Sequence, residues 1–162
     1  MKEFRRRIYR NLSEIVADLR AILAQRPHIK PLLRGTLVSA AFRERLMLAV
    51  TGVNACRYCS YVHTQQALSE GLSPEEIADL QEGELAGSPL EEQAALLYAQ
   101  HWAETRGQPA AEARQRILAQ YGAERGAAIE LALQAIQMSN LLGNTFDYLL
   151  YRASFGRWGG AH

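Results

Sequence analysis

The sequence lacks several features that would assign it to a broad functional class. Its 162 residues carry a formal net charge of only +1, so no strong field is present to attract nucleic acid or an anionic membrane. No uncharged apolar run reaches the roughly 18 residues of a membrane-spanning helix. No apolar segment with a cleavage site follows the first residues, as it would in a secretory signal. We therefore expect a cytoplasmic protein with neither nucleic acid nor a membrane as a partner.

Cysteine is also scarce, since Cys56 and Cys59 are the only two in the chain. A disulfide between them would close a very short loop, which restrains the unfolded chain little. In the cytoplasm, moreover, thiols are kept reduced. We therefore expect the pair to serve catalysis or metal binding rather than to act as a structural crosslink.

What the sequence does contain is typical of a folded helical protein. Hydrophobic residues make up 48% and charged residues 22% of the chain, which are ordinary values for a globular domain. Apolar residues recur at spacings of three and four, which predicts amphipathic helices, whereas no segment alternates as a strand would. No linker or repeat divides the chain. The sequence therefore predicts a single all-α domain over residues 1–162.

The helix boundaries are predicted from prolines, glycines and capping residues. Pro27 ends the first helix, in which the arginines at positions 5–7 are expected to face solvent. A short second segment follows to about Ala41. The predicted helices cover residues 5–23, 44–53, 55–70, 74–81, 89–105, 109–121 and 123–153.

Several of these boundaries rest on specific cap signals. Ser73 and Ser88 are each followed by a proline and nearby acidic residues, which predicts a serine N-cap with proline in the first helical position. Gly71 is expected to end the helix before Ser73 in a left-handed conformation. A break of the last helix at Gly143 is left open, and the tail at residues 156–162 is expected to fray.

The candidate functional residues lie on one short segment. Asn54 is expected to cap a helix that holds Cys56 at its second position, Cys59 about one turn in and His63 four residues later. At about 100° per residue, the two cysteines and the histidine fall within roughly a sixth of the helix circumference. The sequence thus predicts two thiols and an imidazole on one stripe of a helix.

These residue types support thiol chemistry. The positive end of a helix lowers the pKa of a nearby thiol, and His63 is suited to accept a thiol proton. Glu44, on the preceding predicted helix, is a candidate to hold that imidazole in one tautomer, as in a catalytic triad. Tyr58 is a possible accessory group, because its phenol is a donor that could contact a peroxide oxygen.

Two simpler interpretations remain open at this point. Both cysteines could be core residues, since free cysteine is often buried. Alternatively, Cys56, Cys59, His63 and Glu44 could bind zinc, although three ligands on one helical stripe suit a tetrahedron poorly. We expect no metal and no cofactor.

The spacing of Glu44, Cys56, Cys59, His63 and Gly71 resembles the AhpD-like alkylhydroperoxidase core of the carboxymuconolactone decarboxylase superfamily. The resemblance is strong over about residues 35–85. It implies an all-α AhpD-like fold that assembles as a homo-oligomer, usually a trimer or hexamer. It also implies that the first four of these residues form the catalytic set, with the glutamate and histidine as a proton relay to the thiols.

The resemblance bears on the roles of the residues near the second cysteine. The peroxidase that gives the family its name carries a histidine directly before that cysteine, where this chain has Tyr58. Tyrosine retains a hydrogen-bond donor but does not shuttle protons at neutral pH in the same way. The helix-terminus argument favours Cys56 as the attacking sulfur, whereas the resemblance favours Cys59. We assign Cys59 as peroxidatic and Cys56 as resolving.

The expected function is that of a cytoplasmic dithiol peroxidase. It would reduce alkyl hydroperoxides through a Cys56–Cys59 disulfide, with a dithiol or protein reductant as the electron donor. One alternative is a protein-disulfide reductase or redox adaptor, in which a partner's disulfide replaces the peroxide. A further alternative is a non-redox lactone decarboxylase, whose chemistry does not require the cysteine pair.

Overall fold

The computed structural model describes residues 4–160, and within them the chain is helical without a strand, as predicted. No helix in this range has both the length and the apolar character that crossing a membrane requires. The helices are α1 Leu12–Ala24, α2 Arg26–Leu33, α3 Ala40–Asn54, α4 Arg57–Ser69, α5 Pro74–Glu82, α6 Leu90–Glu104, α7 Ala111–Tyr121 and α8 Ala123–Ala153.

Helix α3 lies at the centre of the fold. It begins after Ser39, whose side chain accepts a hydrogen bond from the backbone N–H of Phe42, the usual role of a serine N-cap. Most of its residues are buried, and it packs against α4, α5, α6 and α8. Because α3 is enclosed on several sides, a polar side chain on it is held in a fixed environment.

The last helix, α8, is the longest and supports most of the others. It contacts α1, α2, α3, α4, α6 and α7. Its bounds, Ala123–Ala153, match the predicted range, and it continues through Gly143 without a break. The helix is therefore a rigid wall against which α3 and α4 are placed.

The predicted cap at Ser73 and the predicted helix end at Gly71 were confirmed. Ser73 accepts a hydrogen bond from the backbone N–H of Glu76, and Pro74 is the first residue of α5. Gly71 and Gly122 both have positive φ, at 88° and 78°, which is costly for most other residues. Each of them follows or ends a helix, as predicted.

The prediction for the N-terminus was wrong. Residues 5–11 are not helical, and α1 starts only at Leu12, with Asn11 as its N-cap. The segment before Asn11 is instead held against α8, since the backbone N–H of Tyr9 donates to Thr145 Oγ1. Arg6 is not on a solvated face either, because its side chain is only 7% exposed.

Other boundaries differ by a few residues. The short second segment contains α2, with Pro31 inside the helix, and α3 starts four residues before the predicted Glu44. Ser88 is not an N-cap, because Pro89 occupies that position without a side-chain hydrogen bond. Helix α7 begins at Ala111, two residues after Pro109.

The tail folds back on α8 over its described part, contrary to the expected fraying. Gly159 is buried, and its carbonyl accepts a hydrogen bond from Arg6. A Cβ at position 159 would overlap the backbone carbonyl of Asp147, so the tail and α8 are in close contact there. Residues 161–162 lie outside the described residues.

Candidate active site

The loop between α3 and α4 sets the position of the two cysteines. Ala55 has a left-handed backbone (φ 53°) and ends α3, which runs through Asn54. Cys56 then adopts an extended conformation and is itself the N-cap of α4, with its Sγ accepting from the backbone N–H of Cys59 at 3.4 Å. The predicted cap at Asn54 was therefore wrong by two residues, because the left-handed turn at Ala55 cannot be recognised from the sequence.

The two sulfurs lie in direct contact. Cys56 Sγ and Cys59 Sγ are 2.8 Å apart and share a hydrogen bond, whereas a disulfide bond is about 2.05 Å long. Both residues are free thiols, with Cys56 buried and Cys59 half-buried. Only a small approach of the two sulfurs therefore separates this arrangement from the geometry that a disulfide has once an oxidant removes two electrons.

The surroundings of the two thiols give them different pKa values. The hydrogen bond with Cys59 lowers the pKa of Cys56 to about 7, against the opposing effect of burial, and backbone N–H groups at the start of α4 add to the shift. The same hydrogen bond, together with burial, raises the pKa of Cys59. When the pair loses one proton, the negative charge therefore resides preferentially on Cys56.

The structure brings Glu44 and His63 together. The Glu44 carboxylate on α3 is 1% exposed, and its Oε2 lies 2.7 Å from Nδ1 of His63 on α4. Because an ionised carboxylate can only accept a hydrogen bond, this geometry places the imidazole proton on Nδ1 and leaves Nε2 to exchange a proton. The other carboxylate oxygen accepts from Arg43 Nε at 3.3 Å.

His63 is close to the cysteine pair but not bonded to it. It is half-buried and stands one helical turn beyond Cys59 on α4, a spacing that puts the two side chains on the same face. No hydrogen bond joins the imidazole to either sulfur among the residues that the structure describes. A proton moving between them would need a water molecule or a reactant as a bridge.

Tyr58, the possible accessory residue, is engaged elsewhere. Its hydroxyl donates to Asp147 Oδ1 on α8 at 2.7 Å, and its ring lies 6.2 Å from that of Phe146. The phenol is therefore not a free donor toward a peroxide bound at the sulfurs. Sequence reasoning did not identify Asp147, because it lies far along the chain from the motif.

A network of buried amides lies behind the cysteines, and sequence reasoning did not assign it a role. Asn54 Nδ2 donates to Asn140 Oδ1 at 3.2 Å, and Asn140 Nδ2 donates to Thr51 Oγ1 at the same distance. Asn144 Nδ2 donates to the Asn54 carbonyl at 2.8 Å. The spacing of four residues between the two asparagines of α8 could have indicated a shared polar face. The network fixes the end of α3, from which the cysteine loop departs.

The sequence left open whether Gly143 interrupts the last helix. Gly143 does not break α8, and a Cβ at this position would lie 2.8 Å from Cys56 Sγ. Such a distance is shorter than side-chain carbons tolerate, so only glycine permits this approach. The residue therefore makes room for the buried sulfur on the surface of α8.

The site includes a cavity of about 290 Å³ between α3, α4 and α5. Its lining includes Cys56, Arg57, Ser60 and Gln81. The cavity has both polar and apolar walls and is large enough for a small reactant. A reactant of that size would have access to the cysteine loop from this side.

The alternative of a zinc site finds no geometric support. Among residues 4–160, no three His, Cys, Asp or Glu side chains are grouped so that they could hold a metal ion. Glu44 is instead paired with His63. The four candidate residues are thus arranged as a thiol pair beside a carboxylate–imidazole pair.

Comparison with known proteins supports the resemblance. A search of the curated proteins and a search of the solved structures find no match to this chain. The model of the carboxymuconolactone decarboxylase family matches residues 31–101, which include the whole motif from Glu44 to Gly71, whereas α7 and α8 lie beyond the match. The segment that holds the candidate site therefore matches the family that its sequence pattern resembles.

Proposed function

We propose that this protein is a cytoplasmic dithiol peroxidase that reduces hydroperoxides through a Cys56–Cys59 disulfide. The observation that carries the proposal is the 2.8 Å contact between the two sulfurs at the N-terminus of α4. A carboxylate–imidazole pair, Glu44 and His63, stands one turn away. The arrangement supplies a reactive thiol, a partner to resolve it and a group to move protons.

The first step is attack of a thiolate on the peroxide. We keep Cys59 as the attacking residue because it is the more exposed sulfur. Since the charge of the pair resides mainly on Cys56, Cys59 reacts through the minor form in which the shared proton has moved to Cys56. Its sulfur bonds to one peroxide oxygen, the O–O bond breaks, and the other oxygen leaves as an alkoxide. His63 Nε2 takes up the proton that the thiol pair loses and returns it to this alkoxide to give the alcohol, and the cysteine is left as a sulfenic acid.

The second step forms the disulfide. Cys56 attacks the sulfenic sulfur of Cys59, the S–O bond breaks, and hydroxide leaves with the Cys56 proton as water. Backbone N–H groups at the start of α4 lower the pKa of Cys56, which favours deprotonation of its thiol for this attack. Two electrons from an external dithiol then reduce the disulfide, with Cys56 as the leaving thiolate, since a thiol of lower pKa leaves faster.

Steady-state peroxide consumption with a dithiol reductant tests the proposal. Replacing either cysteine, in Cys56→Ser or Cys59→Ser, should abolish turnover. The Cys56→Ser variant should still consume one equivalent of peroxide and accumulate a sulfenic acid on Cys59. Full turnover by either variant would overturn the proposed mechanism.

A protein-disulfide reductase or redox adaptor is the second candidate, and an exposed apolar surface favours it. Tyr61, Val62 and Phe146 are all exposed beside the motif, as a polypeptide-binding surface requires. Comparing the rates at which a hydroperoxide and a protein disulfide oxidise the reduced dithiol distinguishes the two candidates. Thiols that stay inert to peroxide, together with a lactone decarboxylase activity that survives alkylation of both thiols, would instead support the third candidate.

We also propose that the chain forms a homo-oligomer, a trimer or hexamer by analogy with the family. Helix α1 has no buried residue in the isolated chain, and its Leu12 and Leu23 are exposed. Exposed leucines on one helix are typical of a surface that a second subunit covers. Light scattering coupled to size-exclusion chromatography measures the subunit number, and a monomer would contradict this proposal.

A further inference from the structure

Asp147 on α8 is a buried carboxylate with an unusual set of partners. Its side chain is fully buried, yet its Oδ1 accepts from Arg57 Nη2 and from Tyr58 OH, each at 2.7 Å. Its Oδ2 accepts from Arg6 Nη1 at 2.6 Å. Two of the three donors are the residues between the two cysteines.

We propose that Asp147 is the positioning residue of the cysteine pair: it anchors both intervening residues to α8 and thereby keeps the two sulfurs in contact. The inference rests on the proposed function in taking this pair as the reactive group. It concerns the geometry of the dithiol, however, and not the identity of its oxidant.

The geometry of α8 supports this role. Cys56 Sγ packs against Gly143, and Asp147 lies four residues later on the same helix, which places both on one face. The buried sulfur and the two residues that follow it are therefore held by successive turns of one rigid helix. Movement of the loop relative to α8 would break hydrogen bonds to a buried carboxylate, which is costly.

The carboxylate is held in its charged form. Burial opposes ionisation, but the hydrogen bonds from its three donors outweigh it, so the pKa of Asp147 lies below its usual value. Arg6, which is itself nearly buried, also lowers the pKa of Cys56 through its charge. The N-terminal segment thus provides a cation that both neutralises Asp147 and stabilises the thiolate.

A matched pair of tyrosine variants tests the positioning role. Tyr58→Phe removes one hydrogen bond to Asp147 without changing any charge. Tyr61→Phe is the control, since Tyr61 lies on the same helix, is 70% exposed, and its hydroxyl has no hydrogen bond among the described residues. The readout is the apparent pKa of the dithiol, followed by the ultraviolet absorbance of the thiolate as pH is raised.

Loosening the loop that holds the two cysteines should weaken the sulfur–sulfur hydrogen bond that lowers the pKa of Cys56. We expect Tyr58→Phe to raise the apparent pKa by about half a unit, which lowers the thiolate population about threefold below that pKa. Tyr61→Phe should leave the titration curve unchanged. An unchanged curve for Tyr58→Phe, or equal shifts in both variants, would overturn the proposal.

A double-mutant cycle with Asp147→Asn shows whether the effect passes through the carboxylate. The cycle compares the effect of Tyr58→Phe in the two backgrounds, so the direct influence of the lost charge cancels. We expect Tyr58→Phe to have no effect once Asp147 is replaced, and an undiminished shift there would contradict the role of Asp147. If Asp147→Asn does not fold, the comparison of the two tyrosines decides.

This titration requires no peroxide, so it separates the two proposals. A shifted pKa in a protein that does not reduce peroxide would refute the proposed function and leave the positioning role intact. An unshifted pKa in an active peroxidase would refute only the positioning role.

Discussion

Gly143 lies directly against the sulfur of Cys56, so close that a Cβ on Gly143 would be 2.8 Å from Sγ. The contact joins the long C-terminal helix to the first cysteine of the motif. Even a methyl group added at position 143 should therefore displace this sulfur.

The first prediction is that Gly143→Ala will be destabilising. Helix propensity alone would favour alanine by about 1 kcal/mol, but forcing an extra methyl group into a packed site costs about 1–3 kcal/mol. We expect a net loss of about 1 kcal/mol in the free energy of unfolding, together with a raised pKa of the displaced Cys56. Denaturant unfolding and thiolate titration measure the two effects.

Ser139→Ala is the control for that experiment. Ser139 is exposed and lies one turn before Gly143 on the same helix, so the substitution changes helix propensity without touching the sulfur. It should leave the titration unchanged. A Gly143→Ala protein that is more stable than the parent would show that the contact does not constrain the site.

The second prediction concerns the proton relay. Glu44→Gln keeps the shape of the side chain but removes the charge that faces His63 Nδ1. If the pair moves protons, the rate of peroxide reduction should fall by about a hundredfold, a typical contribution of general acid–base catalysis. Stopped-flow oxidation of the reduced protein measures the rate.

Glu130→Gln provides the comparison, since Glu130 is also buried but pairs with Tyr98 and Arg114. It should affect stability without slowing peroxide reduction. Equal rates for Glu44→Gln and the parent protein would leave Glu44 with a structural role only.

The third prediction is a pH dependence. The pKa of Cys56 is lowered to about 7, whereas an ordinary thiol titrates near about 8.5. The thiolate of the pair is therefore formed as pH rises through about 7 and is lost below it. Single-turnover oxidation should accelerate through that range and level off above it, with an apparent pKa that belongs to the pair. An inflection close to that of an ordinary thiol would contradict the assignment.

The fourth prediction compares the loss of the Asp147 charge with the loss of one of its partners, Arg57. Asp147→Asn leaves the Arg6 guanidinium without a counter-charge in a buried site, which should cost about 3–5 kcal/mol of stability. Arg57→Gln removes a half-exposed partner of the same carboxylate and should cost about 1 kcal/mol or less. Denaturant unfolding of both variants measures the two losses in the free energy of unfolding. Equal losses would show that burying Arg6 does not require the charge of Asp147.

The sequence was sufficient for several helix ends that local signals determine. The serine cap at Ser73 and the left-handed glycine at Gly71 set helix ends by short-range geometry, and both lie as predicted. The all-helical architecture followed from apolar spacing. The pattern of residues around the two cysteines was enough to predict the family resemblance.

The rest depends on contacts between distant parts of the chain. Arg6 was expected in solvent because an arginine run is usually exposed, but a carboxylate 141 residues away binds it. The left-handed backbone of Ala55, a non-glycine residue, has no local signature, so the start of α4 was misplaced. The sequence left open whether Gly143 breaks the helix, because the contact with Cys56 that explains this glycine exists only in the folded protein.

Titrating the reduced protein with a hydroperoxide, without any added reductant, shows whether Cys56 and Cys59 are oxidised as a pair. We expect one equivalent of peroxide to remove both free thiols and peptide mapping to find a disulfide joining Cys56 to Cys59. Two thiols that survive excess peroxide, or one cysteine oxidised to a sulfinic or sulfonic acid while the other stays free, would contradict this expectation.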